Sequence, residues 1–151
     1  MGKIDQGLAE LGIELPAAAK PVANYVPWVK TGNLIFVAGQ IPVKDGKVMY
    51  TGKPTSVGFG AEAAKLCTIN ILAQLRDACD GNLDRVVRVI KLVGFVAANS
   101  QDVSIPQVIN GASDFLVDVF GEKGKHARSS VGVSELPLNA TVEIEAIVEI
   151  A

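Results

Sequence analysis

From Val86 to Ala97 the chain is apolar on both parities of an extended strand. Val87, Val89, Val93 and Phe95 would face one way, and Val86, Ile90, Leu92 and Val96 the other. A strand of this kind must be covered on both sides. One layer of helices covers only one side, so the second cover is expected from another subunit. The composition agrees: Val and Ile number 32 against 12 Leu, which favours pleated sheet over a helix bundle. With 49 % apolar and 20 % charged residues in 151, the chain suits one folded domain, residues 1–151, and excludes disorder. No apolar run approaches the roughly 18 residues of a membrane span, so no membrane partner is expected.

Charge narrows the functional classes. The net charge is −2 and Lys and Arg are spread singly, so the electrostatic footprint for nucleic acid is missing and no nucleic-acid partner is expected. Cys67 and Cys79 are too few for a disulfide scaffold. The first residues are too polar for a signal peptide, and a cytoplasmic location is expected.

The patterning predicts an α+β chain. Asp5 is placed to cap a short helix ending near Gly12, and residues 1–15 form a helical extension. The stretch Pro16 to Pro27 reads as irregular. Leu34 to Gly39 reads as a strand opened by the turn Thr31-Gly32-Asn33, and Val43 to Val48 as a hairpin turning at Asp45-Gly46. Ala64, Cys67, Ile71, Leu75 and Ala78 mark a helix over about 61–80, stopped by Gly81. Ser104 and Pro106 open a second helix with the stripe Ile105, Val108, Ile109, Ala112, Phe115, Leu116, Val119 and Phe120, closed by Gly121. Strands over about 128–133 and 141–150 finish the chain, which places both long helices on one sheet face.

The last two strands hold the candidate chemistry. Arg128, Ser130 and Gly132 share one face of theirs. In the final strand Val142, Ile144, Ala146, Val148 and Ile150 form the core face, and Glu143, Glu145, Ile147 and Glu149 point away. An arginine and a row of carboxylates are thereby expected to meet on the face without helices. A partly buried guanidinium grips a carboxylate bidentately, and a glutamate can activate water. On residue types alone, ordinary ion pairs on a solvated strand face would look the same.

Several stretches together resemble one family. Gly32-Asn-Leu-Ile-Phe-Val-Ala-Gly-Gln-Ile-Pro42, Ala127-Arg-Ser-Ser-Val-Gly-Val133, Leu136-Pro137 and Val142-Glu-Ile-Glu-Ala146 are similar to the RidA family of reactive-intermediate deaminases, also called YjgF-type proteins and, in older usage, L-PSP endoribonucleases. The resemblance runs from Pro21 to Ala151. It implies a chorismate-mutase-like α+β fold, a homotrimer with sites in clefts between subunits, and hydrolysis of small 2-imino or enamine acids such as 2-aminoacrylate to 2-keto acids and ammonia. No cofactor and no metal are implied. By the same resemblance Arg128 clamps the carboxylate of the substrate and Glu143 holds the attacking water, while Tyr25, Gly39 and Asn110 line the pocket. Ser130 occupies a pocket position where many members carry cysteine. The N-terminal extension and the long stretch from Asp45 to Gly60 mark a divergent subgroup.

The residue reading fits this placement in part. Asn110 lies about 160° from Ala112 around the helix at about 100° per residue, so the core does not need it. Tyr25 reads equally as a packed loop aromatic, and Gly39 as the end of a strand. His126 reads as a solvated loop histidine, and a Ser130–His126 pair lacks a nucleophile elbow. Gly58-Phe-Gly60 lacks the rest of a phosphate loop and reads as helix entry. Two rival functions stand beside deamination: a non-catalytic module that binds keto acids, and a ribonuclease, which the charge pattern disfavours.

Overall fold

The computed structural model describes residues 2–151. In chain order the elements are α1 (Lys3–Glu10), β1 (Trp28–Thr31), β2 (Leu34–Gln40), β3 (Val43–Lys44), β4 (Lys47–Val48), α2 (Val57–Ala78), β5 (Val86–Val96), α3 (Ile105–Phe120), β6 (Ala127–Gly132) and β7 (Val142–Ile150). Five strands form one mixed sheet in the order β1-β2-β7-β5-β6, and β3 and β4 pair as a separate hairpin. Only β5 and β6 run parallel, joined by α3; every other pair is antiparallel. Parallel neighbours need a crossover, and the α3 stripe supplies one that also roofs the sheet.

The α3 stripe is buried at all eight expected positions. It packs with α2 over Ile35, Val37, Leu92, Ile144 and Val148 to form the single core. Close approach of the two helices depends on Gly111, where an added Cβ would run into the Ala61 carbonyl of α2. The α2 N-terminus is capped by the Ser56 hydroxyl, which accepts from Phe59 N at 3.1 Å.

Three local expectations change. The helix α1 begins earlier than the Asp5 cap requires, and Asp5 lies inside its first turn. Its cap comes from far along the chain: the Asp84 carboxylate accepts from Lys3 N at 3.0 Å and Ile4 N at 2.9 Å. Second, Trp28–Thr31 forms a strand that pairs with β2 around Gly32 and Asn33, with Gly32 at φ +58°. Trp28 spends its indole N–H on Asp77 of α2 at 3.0 Å. Third, register shifts where β5 meets β7 break simple alternation, so Val89 faces the core and Ile90 is only half-buried.

Bonds to the Asp84 carboxylate from Ile4 N and then Lys3 N hold its pKa below the usual carboxylate value. A depressed folded pKa contributes stability above the unfolded value that is lost as pH falls through the folded one. Acidification is therefore expected to loosen α1 before the sheet. In Asp84→Ala the Gln6–Glu10 amides should exchange faster at neutral pH while β5 amides keep their protection. Unchanged exchange in α1, read by hydrogen-exchange NMR, would remove this cap assignment.

The sheet face opposite the helices has no cover among the described residues. Val29 and Phe36 are 52 % and 42 % exposed there, and Val93, Phe95 and Ile147 are half-buried. A shallow cavity of about 330 Å³ opens on this face between Val29, Phe36, Ala38, Lys91, Val93 and Glu145.

Candidate active site

The candidate residues fall into two groups, one on each side of the sheet. Arg128 lies on edge strand β6 and turns toward α3, not toward the open face that alternation alone suggested. A strand period fixes which residues share a side but not which side it is. The phase is set at Gly132, where a Cβ would press on Ile105 and the Ala98 carbonyl, so the Arg128–Ser130–Gly132 row faces the helical layer. Glu143 does point to the open side, between the buried Val142 and Ile144. Moreover β5 lies between β6 and β7, so Arg128 and Glu143 are not on adjacent strands.

Around Arg128 every hydrogen-bond acceptor is neutral. Nη1 donates to Asn110 Oδ1 at 2.8 Å and to Ser113 Oγ at 3.1 Å, and Nη2 donates to the Pro106 carbonyl at 3.2 Å. Asn110 and Ser113 stand one turn apart on α3, so both reach the same guanidinium. No carboxylate forms a salt bridge with Arg128 among the described residues. A guanidinium has five N–H donors in a rigid fork. Three are engaged here, which leaves Nε–H and one Nη2–H without an acceptor among the described residues. The Ser130 hydroxyl, on the same row, is buried and has no hydrogen-bond partner among the described residues.

The second group forms where β2 meets the central strand β7, on the other face of the sheet. Opposite Glu145 the register of β2 slips between Val37 and Gln40, so Ala38 and Gly39 bulge out of the ladder. A Cβ on Gly39 would stand 2.6 Å from Glu143 Oε2, so only glycine leaves that carboxylate its place. Burial pushes the Glu143 carboxyl above its usual pKa, and the neighbouring Glu145 charge pushes it further. Tyr25 is 58 % exposed on the segment before β1. Arg76 and Gln74 of α2 pin that segment through the Pro16 carbonyl at 2.8 Å and the Ala19 carbonyl at 2.6 Å. Ala38 N–H then bonds the Pro27 carbonyl at 2.9 Å, which ties the segment's end beside the Gly39 bulge.

Two residues of the Arg128 group escaped the sequence reading. Ser113 carries no motif of its own, and His126 is half-buried and bonded rather than a solvated loop residue. A signal existed for each. His126 shares the parity of Arg128 two positions on, and Ser113 lies one turn from Asn110. No cluster of three or more His, Cys, Asp or Glu side chains suited to a metal ion occurs among the described residues. Nor is any helix among them long and apolar enough to cross a membrane.

One helical layer over a mixed sheet defines an α+β chain of the chorismate-mutase-like kind. The family model described as "YjgF/chorismate_mutase-like, putative endoribonuclease" matches residues 5–150. The chain belongs to the YjgF/RidA family. A crystal structure of a protein of unknown function from Agrobacterium tumefaciens, Atu1372, is 49 % identical with a TM-score of 0.91, over 98 % of this chain and 92 % of that one. The protein TCP17 of Trypanosoma cruzi is 43 % identical over 99 % of this chain and 95 % of its own. A 2-iminobutanoate/2-iminopropanoate deaminase of Dermatophagoides farinae is 33 % identical over 91 % of this chain and 94 % of its own.

Proposed function

We propose that this protein is a cofactor-independent hydrolase that converts small 2-imino or enamine acids to 2-keto acids and ammonia. The observation that carries the reading is the guanidinium of Arg128, held by three neutral acceptors with two donors left over. A charged fork that pairs with no carboxylate among the described residues is suited to a small carboxylate ligand. The deaminase among the relatives supports the imino-acid class.

Glu143 supplies the second function. Its carboxylate accepts a proton from water as the oxygen attacks the iminium carbon, giving a carbinolamine. The same proton then passes to nitrogen, and the C–N bond breaks toward nitrogen; as ammonia leaves and the carbonyl forms, Glu143 takes up the hydroxyl proton and releases it to solvent, which returns the proton that the iminium brought. Atoms balance as one water in and one ammonia out. Because Arg128 and Glu143 face opposite sides of one sheet, a site using both takes them from two chains. We therefore place the Arg128, Asn110 and Ser130 edge of one protomer against the Tyr25, Gly39 and Glu143 end of the next, in a homotrimer. Such an assembly would cover Val29 and Phe36 and narrow the water around the ion pair, which strengthens it.

The decisive measurement is release of ammonia and keto acid from freshly generated 2-aminoacrylate, alongside sedimentation to give the assembly state. Turnover by a trimer supports the reading. Carboxylate binding without turnover across a panel of imines would replace it with a non-catalytic ligand-binding role.

A further inference from the structure

Behind Arg128 lies a chain of hydrogen bonds that deamination chemistry does not itself require. His126 Nδ1 sits 2.6 Å from the Gly124 carbonyl, and His126 Nε2 sits 2.9 Å from Ser113 Oγ. A carbonyl only accepts, so Nδ1 carries the proton and, in the neutral ring, Nε2 is left as an acceptor. The Ser113 hydroxyl then donates its only hydrogen to Nε2. Its oxygen lone pairs are turned toward Arg128 Nη1, which donates to it at 3.1 Å. The far end of the chain is firmly anchored. A Cβ on Gly124 would collide with the Leu116 carbonyl, so this turn lies hard against the last turns of α3.

We infer that Ser113 and His126 are positioning residues for Arg128. They fix the direction of the Ser113 lone pairs and so hold the guanidinium with its free edge presented to the ligand. The inference rests on the proposed reading of Arg128 as the carboxylate clamp. Arg128 has a long side chain with many rotamers, and without Ser113 its guanidinium is held only by Asn110 and the Pro106 carbonyl, both through solvent-exposed hydrogen bonds. His126 touches no reacting atom in this scheme and acts only through Ser113.

Two readouts test this and separate it from the clamp reading. The first needs no ligand: nitrogen-15 spectra of the Arg128 guanidinium should show distinct, slowly exchanging Nη signals in the native protein. They should average in Ser113→Ala and stay distinct in Ser113→Thr. The second is calorimetry with 2-oxobutanoate. Loss of one hydrogen bond to a charged group should weaken binding about 10-fold in Ser113→Ala and, one step removed, about 3-fold in His126→Ala. In the Ser113→Ala background His126→Ala should add nothing, because its path to Arg128 is already cut. His126→Gln, which keeps an acceptor near the Nε2 position, should recover part of the loss. Guanidinium signals that ignore Ser113→Ala, or an undiminished His126→Ala effect in that background, would overturn the inference. Averaged signals in Ser113→Ala with no 2-oxobutanoate bound by the native protein would support the positioning role and remove the clamp.

Discussion

Arg128→Ala is expected to lower kcat/KM for a 2-imino acid by about 10²–10³-fold, the range for truncating one partner of a desolvated, hydrogen-bonded charge pair. Most of the loss should appear in KM, since a guanidinium in the proposed clamp role would grip the carboxylate before and during the reaction alike. The fold should survive. The three acceptors that Arg128 leaves behind are neutral, and two of them, on Asn110 and Pro106, lie where water can replace it. Arg128→Lys should recover little, because a single ammonium cannot meet three acceptors and also present a parallel pair of donors. A carboxamide analogue of the substrate should lose almost nothing in either variant. Equal loss on the acid and the amide, in steady-state assays with the assembly intact, would mean that Arg128 supports the fold and not the ligand.

Glu143→Gln carries the other large effect, on kcat rather than KM. Removing general acid–base help of this kind costs about 10²–10⁴-fold. Unfolding is not expected to explain the loss. Burial first and Glu145 second raise the pKa of Glu143, so its ionised form opposes folding. A raised folded pKa contributes stability below the unfolded value that disappears as pH rises through the folded one. The neutral amide should therefore leave the melting temperature at pH 7 unchanged or higher. For activity the sign is also fixed: a base that must be ionised stays protonated to a higher pH. Glu145→Gln should move the acid limb of the kcat/KM profile down, because it removes the neighbouring charge that raises the Glu143 pKa. A limb unmoved by Glu145→Gln, or a Glu143→Gln protein with native kcat, would take Glu143 out of the reaction. Gly39→Ala offers a cross-check, since its new methyl group would displace the Glu143 carboxylate without altering its chemistry.

Strong local periodicity made much of the fold legible. The α3 stripe was readable residue by residue because a helix with one polar face has only one way to bury the other. The same holds for the core parity of β7, whose buried and half-buried residues alternate without a break. The short strand Trp28–Thr31 was not legible. It has an exposed run and exists because β2 offers it an edge, with Trp28 anchored to Asp77 of α2. The cap of α1 is hidden from the local sequence for a related reason, since Asp84 is near it only in space.

The candidate site divides the same way. Arg128, Asn110, Gly39 and Glu143 could be named from motif resemblance, and their pairing into Arg128–Asn110 and Gly39–Glu143 contacts could not. The amino-acid sequence by itself determined the segments, the faces they carry and the shortage of helical cover for one side of the sheet. Only the tertiary structure decided that Arg128 turns toward α3 while Glu143 turns away, and that Ser113 and His126 stand behind the guanidinium. Alternation along a strand is a local property of the backbone. Its phase is set by what packs against it, at Gly132 against Ala98 and Ile105, from elements distant along the chain.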